Sequence, residues 1–83
     1  MHYIFTSHAT AVMSERRIPA AWVERILVHP ERVLQDRNDP ALRHALGRIR
    51  EYGDRVLRVV YNDSYQPWRI VTVYFDRSVR SKS

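Results

Sequence analysis

Two C-terminal segments, residues 55–62 and 68–77, most constrain what this 83-residue chain can fold into. Both are rich in β-branched and aromatic residues, and a short polar segment separates them, so they predict an antiparallel hairpin. Side chains alternate across a strand. The second strand therefore presents two faces, with Val71, Val73 and Phe75 on one and Ile70, Thr72, Tyr74 and Asp76 on the other.

Arg58 stands in the middle of the first of these strands, between Leu57 and Val59. Both faces of the hairpin are partly apolar, so both are expected to be covered or half-buried. A charged side chain in such a strand needs a partner or a purpose. Two roles for Arg58 remain open: it forms an ion pair with Asp76 or Glu51, or it contacts a bound phosphate.

The N-terminal third predicts a short strand followed by two helices. Residues 3–5 suit a strand, and Thr6 or Ser7 suits the N-cap of a helix that runs to about Arg16. A second helix is predicted from about Pro19 to Val28, because proline suits a first turn. Pro30 ends it, since a residue that precedes proline avoids the helical region.

The central segments complete the predicted architecture. Residues 33–36 suit a strand, whereas residues 41–51 combine a helical spacing of apolar residues with a strand-like alternation of arginines. A strand is favoured there, because three consecutive strands would give a sheet wide enough to cover both helices. The predicted fold class is α+β, with two N-terminal helices packed on a three- to four-stranded antiparallel sheet. One domain would span residues 1–77, and residues 78–83 would form a disordered, basic tail.

Composition narrows the functional classes. The chain has no cysteine, which fits a reducing compartment, and no apolar run long enough to span a membrane. The N-terminus lacks the pattern of a secretory signal, so a cytoplasmic location is expected. The net charge is +5, and thirteen of the fourteen basic residues are arginines. This excess fits either a GC-rich coding sequence or recognition of phosphate groups, and composition does not separate the two.

Several short motifs together resemble a known family. They are Ser7-His8-Ala9 with Met13 and Arg17-Ile18, Pro30, His44, Glu51-Tyr52-Gly53, Arg55-x-Leu57-Arg58-Val59-Val60, Arg69 to Val73, and Asp76-Arg77. Their order resembles a bacterial domain-of-unknown-function family of small stand-alone proteins, over about Phe5 to Arg77. The order of helices and sheet is also similar to the BrnT and RelE/ParE toxins, which are small ribonucleases or gyrase inhibitors that pair with antitoxins. Residues 69–72 match the Arg-Ile-Ile-Ser strand of the BrnT type. The resemblance implies a strand at residues 44–50.

Three residues are candidates for catalysis. His8 would lie at a helix N-terminus, and His44 would share a strand face with Leu46, Arg48 and Arg50; a structural role is the alternative for each. Together they would supply an acid and a base, while Arg58 would stabilise negative charge on a phosphate. The predicted contacts to phosphate or RNA come from Arg48, Arg50, Arg69, Thr72, Tyr74 and Arg77.

No metal or cofactor is expected, because the four histidines form no close pair and there is no phosphate-binding glycine loop. The first functional hypothesis is a toxin-like, metal-independent ribonuclease that binds RNA and pairs with a small antitoxin. The alternatives are a non-catalytic module that binds protein or nucleic acid, and a protein-targeting toxin of the ParE kind. A homodimer is a further expected partner, because a chain of this size buries little surface alone.

Overall fold

The computed structural model describes residues 2–79. It confirms the α+β class. The elements in chain order are β1 (Tyr3–Phe5), α1 (Ser7–Arg16), α2 (Ala20–Val28), β2 (Arg32–Gln35), β3 (Leu42–Ile49), a 3-10 helix (Arg50–Tyr52), β4 (Arg55–Asn62) and β5 (Trp68–Phe75). The predicted strand at residues 41–51 is therefore confirmed, although it ends at Ile49. The greater part of the predicted tail lies outside the described residues.

The sheet has five strands in the order β1-β5-β4-β3-β2. Strands β2 to β5 form an antiparallel meander, whereas β1 pairs in parallel with β5. The sheet thus has one strand more than the three to four predicted, and one of its pairings is parallel, whereas the predicted antiparallel pairing is confirmed for β2 to β5. The two helices separate β1 from the meander along the chain, and a strand connected through helices can return in the parallel direction.

Thr6 connects the start of α1 to β5. Its hydroxyl oxygen accepts a hydrogen bond from the Ala9 N–H at 3.1 Å, which caps the helix. The same hydroxyl donates to the Val71 carbonyl, and the Thr6 N–H donates to the Ile70 carbonyl. The N-terminus of α1 is thereby fixed beside the middle of β5.

The apolar core lies between the two helices and one face of the sheet. It is formed by Ala9, Met13, Ile18, Val23, Ile26, Leu27, Ala45, Ile49, Leu57, Val59, Tyr61, Ile70 and Val73. Helix α2 approaches β3 closely, because a Cβ atom on Gly47 would lie 2.6 Å from the Ile26 Cδ1. We call this side of the sheet the helix-covered face, and the other side the open face.

A β-bulge corrects the predicted faces of β5. Val60 pairs with Thr72 but Tyr61 pairs with Ile70, so Val71 is the additional residue. Ile70 and Val73 therefore both lie on the helix-covered face, although the alternation predicted opposite faces for them. An inserted residue shifts the alternation by one position, which sequence periodicity alone does not reveal.

Candidate functional site

The open face brings together most of the polar residues that the sequence analysis selected. Residues paired across neighbouring strands point to the same side of a sheet. The register places His44 beside Val60 and Val60 beside Thr72, and it places Leu46 beside Arg58 and Arg58 beside Tyr74. Two adjacent rows across the middle of the open face thus contain His44, Arg58, Thr72 and Tyr74.

Four of the side chains on this side form a continuous hydrogen-bonded chain, which we call the polar chain: Asp36, His44, Arg58 and Asp76. The His44 Nε2 lies 2.7 Å from the Asp36 Oδ1, and the His44 Nδ1 lies 2.8 Å from the Arg58 Nη1. The Arg58 Nε and Nη2 both contact the Asp76 Oδ2, at 2.8 and 2.7 Å. The polar chain thus connects the residue after β2 to the residue after β5.

The polar chain fixes the tautomer of His44. A guanidinium can only donate hydrogen bonds, so the His44 Nδ1 must accept from Arg58. The proton of a neutral imidazole is then on Nε2, from which it is donated to Asp36. The carboxylate of Asp36 thereby orients the ring, and Nδ1 is the nitrogen with basic character.

Both carboxylates of the polar chain are held in their ionised form. The hydrogen bond from His44 lowers the pKa of Asp36, and the backbone N–H groups of Asn38 and Asp39 lower it further. Hydrogen bonds from Ser78 and from Arg58 lower the pKa of Asp76. The charges of Asp36, Arg58 and Asp76 therefore sum to minus one.

The polar chain is shielded from solvent although no described helix covers it. The side chains of His44 and Arg58 are 14% and 15% exposed, and that of Asp76 is 11% exposed. Arg58 has five N–H groups, of which three are engaged with His44 and Asp76. Among residues 2–79, the other two N–H groups of Arg58 have no acceptor and are available to a ligand.

The other predicted phosphate ligands are divided between several sites. Arg48 is on the open face, where its Nε donates to Glu31 at 3.1 Å. The Arg69 guanidinium lies 3.8 Å from the centroid of the Tyr65 ring. Arg77 follows β5 and is exposed. The prediction that Arg50 shares the strand face of His44 was wrong, because the strand ends at Ile49 and Arg50 begins the 3-10 helix.

His8 is separated from the other catalytic candidates. It is exposed in the first turn of α1, which packs on the helix-covered face through Ala9 and Met13. His44 and Arg58 lie on the open face, so the sheet stands between them and His8. The structure therefore joins two of the three predicted catalytic residues and does not place the two histidines together.

Sequence reasoning missed the role of Asp36. Asp36 follows β2, two positions after Leu34, whose partner in the neighbouring strand is His44. Once β2 and β3 are paired, the alternation of side chains predicts that Asp36 approaches His44. The Arg58–Asp76 ion pair was one of the two predicted pairings, and the other is excluded because Glu51 pairs with Arg25 at 2.8 Å.

The described residues offer no metal site. Within residues 2–79, no three His, Cys, Asp or Glu side chains are grouped so as to hold a metal ion. In the same part of the chain, neither helix has the length and apolar character required to cross a membrane.

Comparison with known proteins identifies a family. The sequence model of a family described as domain of unknown function (DUF4258) matches residues 5–75, which is most of the chain. No curated protein and no solved structure matches the chain. The predicted resemblance to a domain-of-unknown-function family is confirmed, whereas no BrnT or RelE/ParE protein is among the matches.

Proposed function

We propose that this chain, which belongs to the DUF4258 family, is a metal-independent endoribonuclease that binds an RNA strand on the open face. The observation that carries the proposal is the arrangement of His44 between Asp36 and Arg58. A carboxylate that orients an imidazole, with a guanidinium beside the basic nitrogen, combines a proton acceptor with a ligand for a phosphate.

The reaction would begin when an RNA phosphate takes over the hydrogen bond of the Arg58 Nη1. His44 Nδ1 is then free to accept the proton of the ribose 2′-hydroxyl, while Asp36 stabilises the imidazolium that forms. The 2′-oxygen attacks the adjacent phosphorus and the bond to the 5′-oxygen breaks, with a proton from water passing to the leaving oxygen. The hydroxide that this leaves takes the proton from His44 Nδ1, which restores the starting form of the imidazole and of water. The products would be a 2′,3′-cyclic phosphate and a 5′-hydroxyl end.

The resemblance in element order to the RelE and BrnT toxins, which the sequence suggested and which no match supports, motivates the same proposal by analogy of fold alone. A toxin of this type would be paired with a small antitoxin protein. The excess of arginine is compatible with RNA as the target, because a guanidinium matches the geometry of a phosphate.

The test is incubation of a labelled RNA with purified protein in EDTA. Wild type should cleave and leave a 2′,3′-cyclic phosphate, and His44→Ala and Arg58→Lys should lower the rate at least about a hundredfold, the usual scale for losing a general base or an oriented charge. His8→Ala is the matched control and should cleave at the wild-type rate, since His8 lies across the sheet. An all-deoxy strand should resist cleavage, because it lacks the attacking hydroxyl.

Two results would reject this mechanism. One is cleavage by His44→Ala at the wild-type rate while the variant keeps the wild-type melting temperature. The other is cleavage of the all-deoxy strand, which would require a different nucleophile. The melting temperature of each variant separates loss of chemistry from loss of folding, since His44 and Arg58 also hold the polar chain together.

A second candidate function is RNA binding without catalysis. The observation that favours it is that both ring nitrogens of His44 are already hydrogen-bonded, to Asp36 and to Arg58, so neither is free to take part in proton transfer. Under this proposal the wild type would retain a labelled RNA without cutting it, and the affinity would fall steeply with salt. Binding that is unchanged between 50 and 200 mM salt, about the range over which phosphate contacts weaken, would contradict it.

A further inference from the structure

A groove runs along the free part of one edge of the sheet. It has a volume of about 960 Å³ and is bordered on one side by Val12, Arg16 and Ile18. On the other side it is lined by consecutive residues of β5, from Thr72 to Phe75. Consecutive residues of a strand point to opposite faces, so a groove that touches all of them must follow the strand's edge.

This edge of β5 has no strand beside it. Strand β1 pairs only with Trp68, Arg69 and Ile70, and the chain then turns into α1 at Thr6. The carbonyl of Val71 accepts the Thr6 hydroxyl. Among the described residues, no backbone group of another element pairs with the outer edge of residues 72–75. An unpaired strand edge of this kind can pair with an added strand.

The charges around the groove select the partner. Three arginines, Arg16, Arg55 and Arg77, are among the residues that line it, together with Asp54 and Asp76. Asp76 is already neutralised by Arg58. Within residues 2–79, Arg16 and Arg77 have no carboxylate partner, and Arg55 lies over the Tyr52 ring at 4.7 Å. The groove therefore carries a surplus of positive charge.

We infer that this groove binds an extended, acidic segment of a partner protein, which adds a strand to β5. The backbone of the segment would pair with residues 72–75, and its acidic side chains would face Arg16 and Arg77. A second copy of the chain is disfavoured as the occupant, because it would bring two arginine-lined edges together in a protein of net charge +5.

The inference does not depend on cleavage of RNA, and its test uses no RNA. Three capped eight-residue peptides serve as probes: one of alternating valine and glutamate, one of alternating valine and lysine, and a valine–glutamate peptide with N-methyl groups on alternate residues. Each is titrated into uniformly ¹⁵N-labelled full-length protein. The backbone amide shifts and the hydrogen-exchange rates of residues 72–75 are recorded.

The valine–glutamate peptide should bind with the largest shifts in residues 72–75 and should slow exchange there. The lysine peptide and the N-methylated peptide should bind at least tenfold more weakly. Arg16→Glu combined with Arg77→Glu should weaken binding of the glutamate peptide by at least tenfold. Arg32→Glu, on the opposite edge strand β2, is the charge reversal matched to Arg16→Glu alone, and it should change the affinity by less than twofold.

Four results would overturn the inference. They are the absence of binding at millimolar peptide, equal affinity for the glutamate and lysine peptides, shifts centred on β2, and protection of residues 72–75 by self-association in the absence of peptide. Circular dichroism of each variant shows that it is folded. If the double variant unfolds, Arg16→Glu alone is compared with Arg32→Glu and should give the larger loss of affinity; equal losses would overturn the inference.

Discussion

The two faces of one sheet exclude solvent in different ways. Leu57 is fully buried on the helix-covered face, where it belongs to the core that includes residues of α1 and α2. Leu46 is 2% exposed on the open face, yet it lies outside that core. The residues paired with it in the two neighbouring strands are both arginines, Arg32 and Arg58. A sheet can thus bury leucine under packed helices or under its own polar side chains.

Alanine substitutions at the two leucines therefore test whether the two faces of the sheet pack differently. Leu57→Ala removes the same atoms as Leu46→Ala, but it leaves a cavity between layers that are held in place by many contacts. We expect Leu57→Ala to lower the free energy of unfolding by about 4 kcal/mol, near the upper end for such substitutions. Urea denaturation at pH 7 measures the difference.

Leu46→Ala should cost less, about 2 kcal/mol, because the flexible side chains above it can move into the vacated space. The same urea experiment measures it beside Leu57→Ala. Equal losses for the two variants would mean that the polar layer packs as rigidly as the helices do, and the distinction between the faces would fail.

Arg58 should contribute to stability mainly by donating hydrogen bonds to the other members of the polar chain. Arg58→Ala leaves Asp76 and the His44 Nδ1 without their donor, and we expect a loss of about 1–2 kcal/mol, since the group is partly shielded from water. In Arg58→Ala combined with Asp76→Asn, the second substitution should cost less than it does alone. Additive losses would show that the two side chains act independently.

Acid should remove the contribution of Asp76. Its pKa is lowered in the folded protein by Ser78 and Arg58, relative to an ordinary value of 3.8. A carboxylate whose pKa is lowered by folding stabilises the protein at any pH above its pKa in the unfolded chain. That contribution is lost as the pH falls through its pKa in the folded protein. The difference in unfolding free energy between wild type and Asp76→Asn should therefore be constant from pH 7 to about 5 and shrink below 3.8.

Thermal unfolding of both proteins between pH 7 and pH 2.5, about the accessible acid range, follows this difference. Glu15→Gln, on the exposed side of α1, controls for the loss of one carboxylate from the chain. A difference for Asp76→Asn that stays constant down to the lowest pH would contradict the role assigned to its ionised form.

The elements that sequence predicted well are those specified by neighbouring residues. The cap at Thr6 and the turn between β4 and β5 depend on local chemistry, which the sequence displays directly. The parallel pairing of β1 and the bulge at Val71 depend on contacts between distant segments. Periodicity within one strand carries no signal for either of them.

The candidate site shows the same difference between features set by neighbouring residues and features set by contacts between distant segments. Arg58 was recognised because a charge in an apolar strand is conspicuous, and His44 because the strand alternation grouped it with other polar residues. Asp36 was missed because its role requires the register between β2 and β3. His8 and His44 were combined because sequence gives no information on which side of the sheet each histidine lies.

The two bonds of Thr6 to β5 bear on the order in which the chain folds. The bond from its hydroxyl to Val71 joins residues sixty-five positions apart, so it closes a loop that contains most of the chain. The entropic cost of closing a loop grows with its length, whereas the β3–β4 and β4–β5 turns close short loops. We therefore expect the meander to form first and β1 to dock last, which makes the N-terminal strand the segment that completes the native state.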